Sequence, residues 1–89
     1  MADPVMDRIK AGAQIVDVRT PDEFRDGAYP GAVNIPVQSL GARMGEISKD
    51  KPVVVYCASG GRSATAARML LQAGYTDVVN AGGLGDMPR

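Results

Sequence analysis

The sequence predicts an α/β domain with a mostly parallel central sheet flanked by helices. Three observations carry that expectation. Segments of strand character alternate with segments of helical period along the chain. Pro52 to Tyr56 reads PVVVY, apolar throughout, as a central parallel strand covered on both faces must be. Arg62 to Ala73 is rich in alanine and leucine and is closed by Gly74, the profile of a well-formed helix. The 89 residues suffice for one domain, expected over 1–89, and not for two.

The elements follow in order. Asp3-Pro4 is an N-cap followed by a proline at the first helical position, and Gly12 is the stop signal of that helix. Val5, Met6 and Ile9 give it an apolar face. Ala13 to Val18 reads as a buried strand. Thr20-Pro21-Asp22-Glu23 is a capping box, so a short helix follows. Tyr29-Pro30-Gly31 is turn chemistry, and Ala32 to Ile35 a short strand. Leu40, Met44 and Ile47 are spaced as a helix face, weakened by Gly41 and Gly45. After the strand at 52–56 and the helix at 62–73, Asp77 to Asn80 is a last short strand. Ala81 to Arg89 is expected to be loop. Met44, Met69, Leu70 and Leu71 are expected in the core.

Composition removes several function classes. Ten basic and ten acidic residues balance, and no basic run suggests nucleic acid or an anionic membrane surface. Apolar runs are too short to span a bilayer. The N-terminus lacks a secretory h-region, so a cytoplasmic location is expected; a periplasmic chain already cleaved of its signal has the same appearance. There is one cysteine, Cys57, and no histidine. An internal disulfide, a His-ligated zinc site and a Cys-His or Ser-His pair are therefore excluded. Any activation of Cys57 must come from something other than imidazole, and no metal or organic cofactor is expected.

The informative stretch is Cys57-Ala58-Ser59-Gly60-Gly61-Arg62-Ser63, which joins the apolar strand to the helix. Ligands of open α/β sheets bind outside the carboxyl ends of strands, where Cys57 is expected. Backbone N–H groups of a curled loop converge on one point, and Gly60 and Gly61 permit the φ values of such a curl. The free N–H groups at the helix start add to that positive field. A Cys57 thiolate is the anion expected there, with a depressed pKa. Arg62 supplies a permanent cation for an anionic donor. Ser59 and Ser63 supply hydroxyls. Taken singly, a cysteine after a strand is a small buried hydrophobe and a glycine pair is a turn. Together these residues fit one chemical purpose.

At these residues the sequence resembles the rhodanese family. Asp17-Val18-Arg19 followed by Glu23-Phe24 is similar to the family's first motif. Gly27 to Pro36 is similar to its second, Cys57 to Ser63 to its active-site loop, and Gly82-Gly83 to its closing motif. The resemblance spans nearly the whole chain and is greatest to short bacterial single-domain members, including the phage-shock type. Ala28 stands where the family usually has histidine, and Met87 where it often has tryptophan. The resemblance implies a sulfurtransferase that moves a sulfane sulfur from thiosulfate or a similar donor to cyanide or a thiol. Cys57 would be the persulfide-carrying nucleophile, with Ala58, Ser59, Gly60, Gly61, Arg62 and Ser63 binding substrate. It also implies that Asp17 and Arg19 form ion pairs holding the sheet near the loop.

Other readings remain open. Cys57 could relay its persulfide to a partner protein. Phosphatases and arsenate reductases also combine a cysteine, an amide loop and an arginine. Tyrosine-phosphatase-like loops place five residues between the two, whereas here four, Ala58 to Gly61, intervene. A non-catalytic binding module is a further alternative.

Overall fold

A computed structural model describes residues 3–89; Met1 and Ala2, which the expected domain 1–89 includes, lie outside the described residues. Four strands form the sheet: β1 (Gln14–Asp17), β2 (Val33–Asn34), β3 (Val53–Cys57) and β4 (Val78–Gly83). Their order is β2-β1-β3-β4, and every pairing is parallel. The helices are α1 (Pro4–Lys10), α2 (Pro21–Asp26), α3 (Leu40–Arg43) and α4 (Gly61–Gln72).

Local chemistry sets the helix starts. Asp3 Oδ1 accepts from the backbone N–H groups of Val5 and Met6, at 3.0 and 3.2 Å. The capping box opens α2: Glu23 N–H donates to Thr20 Oγ1 at 3.2 Å, and Thr20 N–H to Glu23 Oε1 at 3.1 Å. Gly74, with φ +98°, follows the α4 C-cap and adopts a backbone that L side chains avoid.

The strand at the centre separates two cores. On β3, Val53, Val55 and Cys57 join one apolar cluster, and Val54 and Tyr56 join the other. All five are at most 1% exposed, which is why the sequence shows no alternation there. The larger core is closed by Ala66 and Leu70 of α4 and by Leu40, Ile47 and Tyr75. The smaller is closed by Val5 and Ile9 of α1 and by Leu84 and Met87. Truncating the fully buried Leu70 to alanine is expected to cost about 2–5 kcal/mol.

The structure corrects four expectations. The helix through residues 40–47 is segmented into 3₁₀ turns at Val37–Ser39 and Met44–Glu46 around the single turn of α3. Gly41 and Gly45 lower its helix propensity. The Tyr75 hydroxyl engages the carbonyls of Met44 and Ile47 at this break, at 2.9 and 2.6 Å, the Met44 carbonyl also accepting from Ile47 N–H. Next, Leu71 is 51% exposed, because α4 turns Ser63, Ala66 and Leu70 inward and Leu71 away. Met44 and Met69 pack only at the core's border. Finally, the last strand continues through the expected loop to Gly83, and a 3₁₀ turn, Leu84–Asp86, follows. Gly83 pairs with Cys57 across a register shift, so β4 accompanies β3 to its end.

Candidate active site

The chain passes from β1 outward to β2 on one side and from β3 outward to β4 on the other. The order therefore reverses between β1 and β3, where open α/β sheets form a crevice at the carboxyl strand ends. Asp17 ends β1 and Cys57 ends β3.

The Cys57 sulfur is surrounded by donors. Gly60 N–H donates to Sγ at 3.0 Å and Ser63 N–H at 3.4 Å, while Ser63 Oγ lies 3.3 Å away. Gly60 reaches this position with φ +106°, in the left-handed region. Gly61 has no such φ and is the first residue of α4, so only one of the two glycines is required for the curl. Burial pushes the thiol pKa up, but the Ser63 hydroxyl and the N–H groups of Ser63, Gly60 and Ser59 outweigh it. The net result is a thiol lowered to about 7. Ser59 acts through its backbone N–H, where its hydroxyl was expected. Ala58 and Ser59 are exposed, and the Ala58 carbonyl abuts Gly83.

Arg62 is not a free cation. Its Nη1 and Nη2 donate to Glu23 Oε1 and Oε2 at 2.7 and 3.0 Å, a two-pronged contact joining α4 to α2. The Glu23 contact, with a smaller contribution from Cys57, raises the Arg62 pKa. In return Arg62, followed by the Thr20 backbone N–H, lowers the Glu23 carboxyl to about 2. Glu23 was legible as part of a motif, but its partner lies 39 residues away.

Two supporting networks flank the loop. Arg19 Nη2 donates to Asp17 Oδ2 at 2.6 Å and to the Gly27 carbonyl at 2.7 Å, and the pair is buried. Tyr56 hydroxyl donates to Asp17 Oδ2 at 2.8 Å and accepts from Tyr29 N–H at 2.9 Å. On the other flank Ser63 Oγ lies 2.6 Å from Asn80 Oδ1. Neither Tyr56 nor Asn80 was singled out from sequence, since Tyr56 acts through Asp17 of β1 and Asn80 through Ser63 of α4. Met87 fills its position in the smaller core, and the half-buried Ala28 lines a groove of about 590 Å³ that includes no residue from Cys57 to Ser63. Among the described residues, no group of three or more His, Cys, Asp or Glu side chains could hold a metal, and no helix is long and apolar enough to cross a membrane.

This arrangement places a donor-surrounded cysteine at the carboxyl end of a parallel α/β sheet. The family model described as "Rhodanese-like domain" matches residues 1–85, and the chain belongs to that family. A "Sulfurtransferase" of Allochromatium vinosum is 46% identical over 69 residues, covering 78% of this chain and 64% of that protein. The chain thus spans less than two thirds of that relative's length. "Thiosulfate sulfurtransferase PspE" of Escherichia coli is 41% identical over 78 residues, covering 83% of this chain and 75% of that protein. The solved structure described as "rhodanese with anions from E. coli" superposes with a TM-score of 0.79 at 39% identity, covering 85% of this chain and 94% of that one.

Proposed function

We propose that this chain is a thiosulfate-type sulfurtransferase working through a Cys57 persulfide. The observation that carries the reading is the set of N–H donors around a buried Sγ whose pKa is lowered to about 7 without any histidine. The Cys57 thiolate attacks the outer sulfur of the donor. The donor's S–S bond breaks, and its electron pair leaves on sulfite. The outer sulfur is then held as Cys57–S–S⁻, with the loop amides stabilising its charge. A thiolate or cyanide attacks that outer sulfur, and the Cys57 thiolate departs. Ala58, Ser59, Gly60, Gly61 and Ser63 form the receiving loop, and Arg62 meets the anionic donor at its rim. The domain is proposed to extend over 1–89. Small anionic donors and thiol or cyanide acceptors are its partners; delivery to an acceptor protein uses the same chemistry.

Intact mass before and after thiosulfate tests this, with Cys57→Ser as control. The expected result is a gain of one sulfur, absent in the variant and removed by cyanide. No gain would overturn the thiosulfate reading. Hydrolysis of a phosphotyrosine mimic, lost in Cys57→Ser, would move the site to the phosphatase class.

A further inference from the structure

The Ser63 hydroxyl has one proton and four acceptors within reach. Asn80 Oδ1 lies at 2.6 Å, the Gly60 carbonyl at 3.2 Å, the Gly82 carbonyl at 3.3 Å and Cys57 Sγ at 3.3 Å. Which acceptor takes the proton decides what Cys57 experiences. A hydroxyl donating to sulfur stabilises the thiolate. A hydroxyl donating elsewhere turns a lone pair to the sulfur and stabilises the thiol.

The orientation of Asn80 is fixed by backbone on both sides. Gly82 N–H donates to Oδ1 at 2.9 Å, and Nδ2 donates to the Gly60 carbonyl at 3.3 Å. A flipped amide would face the Gly82 N–H with its own donors. Oδ1 is therefore the acceptor presented to Ser63, at the shortest of the four distances.

We propose that Asn80 is a positioning residue that holds the Ser63 hydroxyl proton away from Cys57 and so restrains ionisation of the thiol. On ionisation the cysteine proton leaves to solvent, and the Ser63 hydroxyl must give up Asn80 to donate to the sulfur. The restraint has a chemical use. Thiolate nucleophilicity falls as thiol pKa falls, and an attacking thiol works best with its pKa near ambient pH. The assignment rests on Cys57 being the nucleophile, and it does not depend on the sulfur donor.

The charged groups around Cys57 stay the same in the tests below. Arg62 of α4 is bonded to Glu23 of α2, and Asp86 after β4 accepts from Gly83 N–H at 2.9 Å. Tyr56 faces the other core with Asp17 and Arg19. No titratable side chain lies on β4.

The experiment is the pH dependence of Cys57 alkylation by iodoacetamide in four proteins: parent, Asn80→Ala, Ser63→Ala and the double variant. Asn80→Ala is expected to lower the midpoint by about 0.5–1 pH unit, a fraction of one charge-assisted hydrogen bond. Ser63→Ala raises it, and the double variant matches Ser63→Ala. An unchanged or raised midpoint in Asn80→Ala, or an equal shift with Ser63 absent, would overturn the proposal. If these shifts occur and thiosulfate adds no sulfur, the Asn80 assignment stands and the thiosulfate reading fails.

Discussion

The carboxyl end of the sheet carries two arginine–carboxylate pairs built for different work. Asp17–Arg19 lies beneath the crevice, with side chains 0% and 8% exposed. Glu23–Arg62 spans its rim, with side chains 34% and 37% exposed. The inner pair is closed on itself: Asp17 also takes the Tyr56 hydroxyl, and Arg19 the Gly27 carbonyl. Nothing in that network can be withdrawn without stranding a buried charge. The outer pair lies within reach of water, so either partner can exchange the other for a different ion at small cost. Buried charge fixes the strand ends, and half-exposed charge stays open to exchange with solvent ions.

The contrast is broken most readily from the inside. Asp17→Ala leaves Arg19 unpaired and the Tyr56 hydroxyl without its acceptor, and is expected to cost about 3–5 kcal/mol in urea unfolding. A loss within the range of an ordinary surface substitution would erase the distinction between the pairs. At the rim the effect should fall on binding. Arg62→Ala is expected to raise the KM for thiosulfate about tenfold, the loss of one charge-assisted contact, while persulfide formation is retained. An unchanged KM would make Arg62 structural.

Glu23→Gln sharpens the comparison, because it frees the guanidinium without removing it. The KM for thiosulfate should then fall a few-fold, opposite in sign to Arg62→Ala. A rise would mean that Glu23 aims Arg62 at the donor. The smallest effect is one of pH. A carboxyl held at about 2 contributes stability that is complete above its ordinary value of 4.5 and lost as pH falls toward 2. An NMR titration of Glu23 should show no protonation step near 4.5, and a midpoint there would dissolve the pair.

Much of this was legible where the chemistry is local. The Thr20 capping box, the Asp3 cap, the apolar β3 and the loop from Cys57 to Ser63 each declare themselves within a few consecutive residues. What stayed hidden depends on neighbours distant in sequence. Arg62 meets Glu23 only because α4 and α2 converge, and Asn80 meets Ser63 only because β4 runs beside β3 to its end. The extension of β4 through Gly82-Gly83 was misread because glycines signal turns, whereas here Gly83 allows two backbones to touch. The helix expected over residues 40–47 kept its buried Leu40 and Ile47 and lost its continuity at two glycines.

That contact at Gly83 bears on how such a sequence can drift. A Cβ built there would sit 2.2 Å from the Ala58 carbonyl oxygen and 2.9 Å from its carbon, both backbone atoms that cannot swing aside. The mould for the sulfur loop is thus the bare backbone of the neighbouring strand, while the side chains of Ala58 and Ser59 point to solvent. Exchanges at Ala58 and Ser59 alter what an incoming molecule meets and leave the curl intact. A single methyl at Gly83 would displace the curl itself. Diversity can accumulate at Ala58 and Ser59, whereas the invariance that keeps the loop's shape is shared between Gly60 and a glycine 26 positions downstream of the cysteine.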